Sequence, residues 1–136
     1  MALLTVDEGE VILLGRALNQ ATPDNCILRL YTNDKTPADA DTTASYTELT
    51  AHSYVAKTLT GASWSVSSIA NVATASYAQQ TFTLDGGPQN VYGYFITNAA
   101  GTKVLWAERF TSTPFVIPAV GTGTINITPV ITHNHA

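Results

Sequence analysis

Along most of the chain apolar and polar positions alternate with the two-residue period of strands. The stretch that organises the rest is Val91–Phe110, VYGYFITNAAGTKVLWAERF, which reads as a β-hairpin. Asn98-Ala99-Ala100-Gly101 fits a type I turn, with Asn first and a Gly last that can take the left-handed conformation closing a bulged hairpin. The predicted register sets Asn98 opposite Thr102 and runs back through Ile96–Val104, Phe95–Leu105, Tyr94–Trp106, Gly93–Ala107 and Tyr92–Glu108. One face then carries Tyr92, Tyr94, Ile96, Val104 and Trp106; the other carries Val91, Gly93, Phe95, Leu105 and Ala107. Both faces are apolar or aromatic, which suits central strands covered on both sides and makes Tyr92, Tyr94, Phe95, Leu105 and Trp106 a core scaffold.

The period changes only near the start. Val11, Leu14 and Leu18 recur at spacings of three and four, with Arg16, Asn19 and Gln20 off that row, and Asp7 with Glu10 fits a capping box. Residues 1–22 are therefore expected to form an arm holding one amphipathic helix, although Glu10-Val-Ile-Leu-Leu also has strand character. Cys26–Tyr31 follows as a strand, with Cys26, Leu28 and Leu30 on one face. Thr32–Thr43 is polar, aperiodic and contains a Pro, which predicts a surface loop. Ser45–Leu49 and Tyr54–Leu59 are short strand candidates, Ser63–Ser67 points Trp64 and Val66 inward, and Ile69–Thr74 fits no single state.

Ala75–Leu84 reads as one strand, Asp85-Gly86-Gly87-Pro88 as a tight turn, and Phe115–Ile117 as another strand. Val120–Gly123 is a turn into Thr124–Ile131, where Pro129 marks the end of pairing. Residues 132–136 read as a flexible tail. About seven to nine short strands at regular spacing, plus one N-terminal helix, predict a mainly β chain folded as an antiparallel sandwich or barrel. At 136 residues it is expected to be a single domain spanning 1–136.

Composition narrows the functional classes. Charged residues are 12% of the chain, about half the usual share of roughly 25%, and hydroxyl and amide side chains fill the surface instead. Charge normally opposes association, so such a surface suits a protein packed against neighbours. Net charge is −4 and the six Lys and Arg are scattered, so no basic stripe is available to neutralise phosphates. Cys26, the single cysteine, has apolar neighbours and reads as a buried thiol. The opening MALLTVDEGE has no positive n-region and its apolar run ends at Asp7, which predicts neither a signal peptide nor a membrane span and a chain made in a cytoplasm.

Chemistry-bearing residues are few. His52 lies in Thr-Ala-His-Ser-Tyr, and Gly61-Ala-Ser-Trp-Ser lacks the nucleophile-elbow spacing, so no acyl-transfer triad is expected. His133 and His135 would need ligands from symmetry mates to hold a metal, and Asp34, Asp39 and Asp41 with Asn33 lack the ligand spacing of a calcium loop. Neither a metal nor a cofactor is expected. Glu48 and Glu108 are the acids inside predicted strands, and nothing in the sequence places them together for hydrolysis. Tyr92, Tyr94 and Trp106 would form a sugar-stacking platform if exposed, which keeps a carbohydrate-binding module as an alternative.

Tyr77-Ala-Gln-Gln-Thr-Phe82, Val91-Tyr-Gly-Tyr-Phe95 and Trp106-Ala-Glu-Arg-Phe110 resemble a group of small β-rich structural proteins of tailed bacteriophages, the head decoration (cement) proteins. The resemblance extends to Val11–Leu18, to ILRLYTNDKTP ending at Pro37, and to Ala56–Trp64, all of them framework residues with no catalytic signature. It implies a non-enzymatic homo-oligomer, trimer or dimer, on the capsid exterior that bridges major capsid protein subunits. A minor tail or fibre-associated virion protein is the alternative within the same class. The expected contacts are the flanking segment Leu3, Leu4, Thr5 and Val6 and the loop residues Asn33, Asp34, Lys35, Asp39 and Asp41.

Overall fold

A computed structural model of the protein describes residues 3–18, 20, 22–70 and 72–134. In chain order the elements are β1 (Leu4–Thr5), helix α1 (Asp7–Ala17), β2 (Cys26–Tyr31), β3 (Lys57–Leu59), β4 (Ser65–Ile69), β5 (Val72–Ser76) and β6 (Gln80–Asp85). They continue with β7 (Gln89–Val91), β8 (Gly93–Thr97), β9 (Val104–Arg109), β10 (Phe115–Ile117), β11 (Thr122–Ile127) and β12 (Val130–Asn134). All pairings are antiparallel, in a five-stranded sheet ordered β1-β9-β8-β2-β3, two ribbons, β10-β7 and β11-β6, and a three-stranded sheet β12-β5-β4. The sheets pack as a sandwich, with no closed barrel among the described residues.

The five-stranded sheet is covered on both faces, as the hairpin's composition requires. On one side Leu28, Leu30, Ile96 and Trp106 meet Phe82, Leu84, Ile117, Ile125 and Ile127 from the ribbons. On the other, Tyr31, Phe95, Val104 and Ala107 meet Val6 and Tyr46, whose ring stacks on Phe95 at 4.9 Å between centroids. Cys26 is buried at the start of β2, as its neighbours predict.

The hairpin forms where expected, but its register differs by two. Gly101 takes φ +70° and donates its N–H to the Asn98 carbonyl, as a type I turn with a left-handed last residue demands. The Asn98 carboxamide oxygen also accepts from the N–H groups of Thr102 (2.9 Å) and Lys103 (3.1 Å). That contact lets the loop close on Asn98–Lys103 instead of Asn98–Thr102, a slip of one. A bulge at Leu105 adds the second, since Thr97 pairs with Val104 while Ile96 pairs with Trp106. Val104 therefore joins the Phe95 face and Leu105 joins the Trp106 face, the reverse of the predicted assignment. Beyond the bulge Tyr94 faces Glu108, not Trp106.

Helix α1 buries the opposite row from the one predicted. Val11, Leu14 and Leu18 are 73%, 62% and 61% exposed, whereas Gly9 is buried and Ile12 and Leu13 are partly buried against the core. Gly9, Ile12, Leu13 and Arg16 form a second row at spacings of three and four, and it is the smallest member that decides the docking. A Cβ on Gly9 would lie 2.7 Å from the Leu105 Cα, so only glycine lets the helix seat on β9. The Asp7–Glu10 capping box does not form: the N-cap is Val6, without a side-chain cap. Asp7 instead donates its backbone N–H to the Asp39 carbonyl (2.8 Å), and the Glu8 carboxylate accepts from Lys103 Nζ (2.8 Å) and the Val104 N–H (3.3 Å).

Several runs read as single strands are broken. Ala75–Leu84 divides into β5 and β6, because Tyr77 turns to donate its N–H to the Pro129 carbonyl (3.0 Å). Thr124–Ile131 divides at Pro129 into β11 and β12, and β12 runs into the segment expected as a tail; residues 135 and 136 lie outside the described ones. Ser45–Leu49 is not a strand: a 3₁₀ turn at Thr43–Ser45 precedes an isolated bridge from Glu48 to Tyr31. Val66, expected inward, is 75% exposed, and no residue of β4 is buried. The β4–β5 hairpin thus projects from the body and is tied to it at the base by Trp64, which packs edge-on to Tyr77 at 5.1 Å.

Candidate functional site

The register set by the Asn98–Lys103 loop and the Leu105 bulge shapes a recess at the end of β9. Beyond the bulge, alternation along β9 puts Glu108 beside Tyr94, and the Tyr94 hydroxyl donates to Glu108 Oε2 at 2.7 Å. Burial, with the adjacent carboxylate added to it, pushes the Tyr94 phenol well above its ordinary pKa, so it stays protonated and holds that oxygen. The two line an open groove of about 500 Å³ between the end of β9 and β11. Ile125 and Ile127 supply an apolar floor, Phe110 and Phe115 aromatic walls, and Thr111, Ser112 and Thr128 a polar rim. The Tyr94 and Phe110 ring centroids lie 6.2 Å apart.

Glu108 is the charged side chain of this groove, and no ion pair reaches it among the described residues. The chain's basic groups are engaged elsewhere. Arg16 pairs with Asp24, Arg29 with Glu48, Lys35 with Asp41, Lys103 with Glu8 and Arg109 with Asp34, while Lys57 lies 5.4 Å above the Phe82 ring centroid. Neighbouring Arg109 points to the other side of β9, over the Tyr92 ring at 5.2 Å.

The residues expected to contact a partner fall into two segments that the structure joins. Leu4 and Thr5 pair with Ala107 and Trp106 as β1, Leu3 packs on the core, and Val6 is fully buried, so its side chain is core and not contact surface. Across the Asp7–Asp39 hydrogen bond lies the loop, where Asn33 straps the chain by donating to the Ser45 carbonyl (3.0 Å) and accepting from the Thr47 N–H (2.8 Å). Asp34 and Asp39 remain exposed. Asp41, read as a solvated loop acid, is only 6% exposed.

Asp41 carries a pH prediction. Burial alone would raise its pKa, but the Lys35 ammonium, the Tyr46 hydroxyl (2.7 Å) and the Ala38 N–H (2.9 Å) outweigh it and hold the carboxyl below its ordinary 3.8. A carboxylate whose pKa is lower folded than unfolded adds stability above the unfolded value, and that stability disappears as pH falls through the folded value. Asp41→Asn is therefore expected to be less stable at neutral pH and to lose less on acidification below about pH 4. Urea midpoints measured across that range check it: acid limbs of equal slope in the two proteins would refute the assignment.

The remaining chemistry-bearing residues take structural positions. His52 and Ser53 occupy a turn with φ of 65° and 59°, held by Asp85: His52 Nδ1 lies 2.9 Å from the Asp85 carbonyl and the Ser53 hydroxyl donates to Asp85 Oδ1 at 2.8 Å. A serine, a histidine and an aspartate thus meet, but the serine bonds to the carboxylate and not to the imidazole, which is not the wiring of a nucleophilic triad. Glu48 anchors Arg29 through both oxygens (3.1 and 2.9 Å) and accepts from the Tyr54 hydroxyl (2.9 Å), far in role from Glu108. His133 lies in β12 opposite Ala73, and His135 lies outside the described residues. Among the described residues no three His, Cys, Asp or Glu side chains gather as a metal site. The sugar platform does not form: Tyr94 and Trp106 are buried, and Arg109 covers one face of half-buried Tyr92.

Sequence reasoning missed both the groove and the two outlying apolar surfaces. These surfaces are the outer row of α1 and the projecting β4, where Val66 and Ile69 are 75% and 77% exposed. Among the described residues no helix is long and apolar enough to cross a membrane. Comparison of the chain with protein-family models, curated proteins and solved structures finds no match.

Proposed function

We propose that the chain is a non-enzymatic virion structural protein, a capsid decoration protein that binds the exterior of an assembled phage head and bridges neighbouring major capsid protein subunits as a homo-oligomer. The observation that carries this reading is the outer row of α1. Val11, Leu14 and Leu18 are exposed on a helix whose opposite row is seated on β9, so the apolar side is offered outward on a rigid support. The low charge of the chain suits burial of such a surface against another protein. β4, exposed over its full length and without a charged residue, offers an unpaired strand edge as a second contact.

The test is addition of the purified protein to undecorated heads, read by co-sedimentation and by the thermal stability of the shell. Binding with a raised shell melting temperature is expected; heads that neither take up the protein nor gain stability would overturn the proposal. The double variant Val11→Glu, Leu14→Glu sharpens it. Both side chains are exposed, so the variant should fold within about 0.5 kcal/mol of the parent. Burial of two such side chains at an interface is worth about 1.5–3 kcal/mol each, so its shell affinity should fall by about a hundredfold or more. Unchanged affinity would remove α1 from the contact.

A further inference from the structure

We propose that the Tyr94–Glu108 groove is a binding site for a basic side chain, Lys or Arg, presented by a partner protein. Glu108 is half-buried, it lies over an apolar floor, and the Tyr94 hydroxyl occupies Oε2. Oε1 has no hydrogen-bond or ion-pair partner among the described residues. A carboxylate facing an open groove over apolar side chains attracts a cation, and the pair is screened less there than on a flat surface. The described residues bring none to it: five of the six Lys and Arg side chains are in ion pairs elsewhere and the sixth, Lys57, lies over Phe82. That leaves the groove's carboxylate to a cation on another molecule.

The walls say what should carry that cation. Phe110 and Phe115, both partly exposed, present aromatic surface to an apolar stem and to the charge itself, which is attracted to ring faces. A Lys or Arg side chain combines such a stem with a charged head. Thr111, Ser112 and Thr128, all exposed on the rim, offer hydrogen-bonding groups to the peptide on either side of it, which favours a residue within a chain over a free amine. The groove has the size of ordinary ligand sites, which run from about 300 to 1,000 Å³. The site stands apart from α1 and does not depend on the virion assignment, because the shell assay and the titration below read different properties.

The test is titration of the ¹⁵N-labelled full chain with the blocked peptides acetyl-Gly-Lys-Gly-amide and acetyl-Gly-Arg-Gly-amide, followed by backbone amide shifts. Changes confined to Glu108–Ser112 and Thr124–Thr128 are expected from at least one of them, with a Kd of about 1–10 mM for so small a ligand. The Nε-acetyl-lysine peptide, which lacks the charge, should cause none, and added salt should weaken binding. Glu108→Gln keeps an acceptor for the Tyr94 hydroxyl and therefore the fold, and it should weaken binding at least tenfold. n-Butylammonium tests the source of the amine and should bind more weakly than the lysine peptide. Unaltered shifts with both basic peptides, equal binding by the acetylated peptide, or undiminished binding by Glu108→Gln would each overturn the proposal. n-Butylammonium binding as tightly as the peptide would overturn its assignment to a partner protein.

Discussion

Trp106→Ala is expected to destabilise the protein by about 3–5 kcal/mol, the usual cost of emptying a large aromatic site in a core. Trp106 is 6% exposed, pairs with Ile96 across the hairpin and with Thr5 on its other side, and belongs to the cluster that joins the five-stranded sheet to the ribbons. Total stability of a domain this size is of order 5–15 kcal/mol, so the loss would remove a large share of it. The replacement that separates packing from polarity is Trp106→Phe. The indole Nε1 is buried without a hydrogen-bond partner among the described residues, a state that costs about 1–3 kcal/mol. Phe deletes that donor and keeps most of the apolar volume, so the two effects should nearly cancel, leaving a change of about 1 kcal/mol or less. Urea unfolding of both variants checks the pair: a large drop for Ala and little for Phe. If Trp106→Ala instead stayed stable and lost only shell binding, the hairpin would be an interface and not the scaffold.

Much of the sandwich was legible because strand alternation is a local property. Cys26–Tyr31 has the predicted bounds, with Cys26, Leu28 and Leu30 buried on one face, and the Asn98–Gly101 turn has the predicted left-handed glycine. What the sequence could not show is set by contacts distant along the chain. The Leu105 bulge depends on how β9 lies between β8 and β1, with α1 across it, and no residue in Thr102–Trp106 announces it. Yet that bulge, added to the one-residue slip of the loop, moves Glu108 from Tyr92 to Tyr94 and so makes the groove. The exposure of Val66 was equally hidden, since alternating residues look alike on a strand that packs and on one that projects. Asp41 was misread because loop acids are usually solvated, and only the fold brings Tyr46 and Lys35 to this one.

Gly9→Ala should destabilise the protein although the same change in an exposed helix would strengthen it. Intrinsic propensity favours Ala over Gly by about 1 kcal/mol in a helix interior. Against that, a Cβ at position 9 would lie 2.7 Å from the Leu105 Cα and 2.8 Å from its carbonyl carbon, backbone atoms of a central strand that cannot step aside. Overpacking of this kind costs about 1–3 kcal/mol, and contact with backbone instead of a movable side chain puts it at the upper end, for a net loss of about 2 kcal/mol. The strain has one cheap outlet, which is lifting α1 away from β9. That would expose Ile12 and Leu13 and would pull Glu8 from Lys103 and the Val104 N–H. Hydrogen exchange should therefore show faster exchange over Asp7–Ala17 than over β8 and β9, and binding to undecorated heads should weaken even at temperatures where the sandwich is folded. The double variant of Val11 and Leu14 alters the outer row alone, whereas Gly9→Ala leaves that row intact and moves its support. If the helix remains seated and shell affinity is unchanged, then Gly9 is not what holds the outer row in place. Weakened binding with an intact sandwich would mean that the row works only while the rigid sheet beneath α1 presents it.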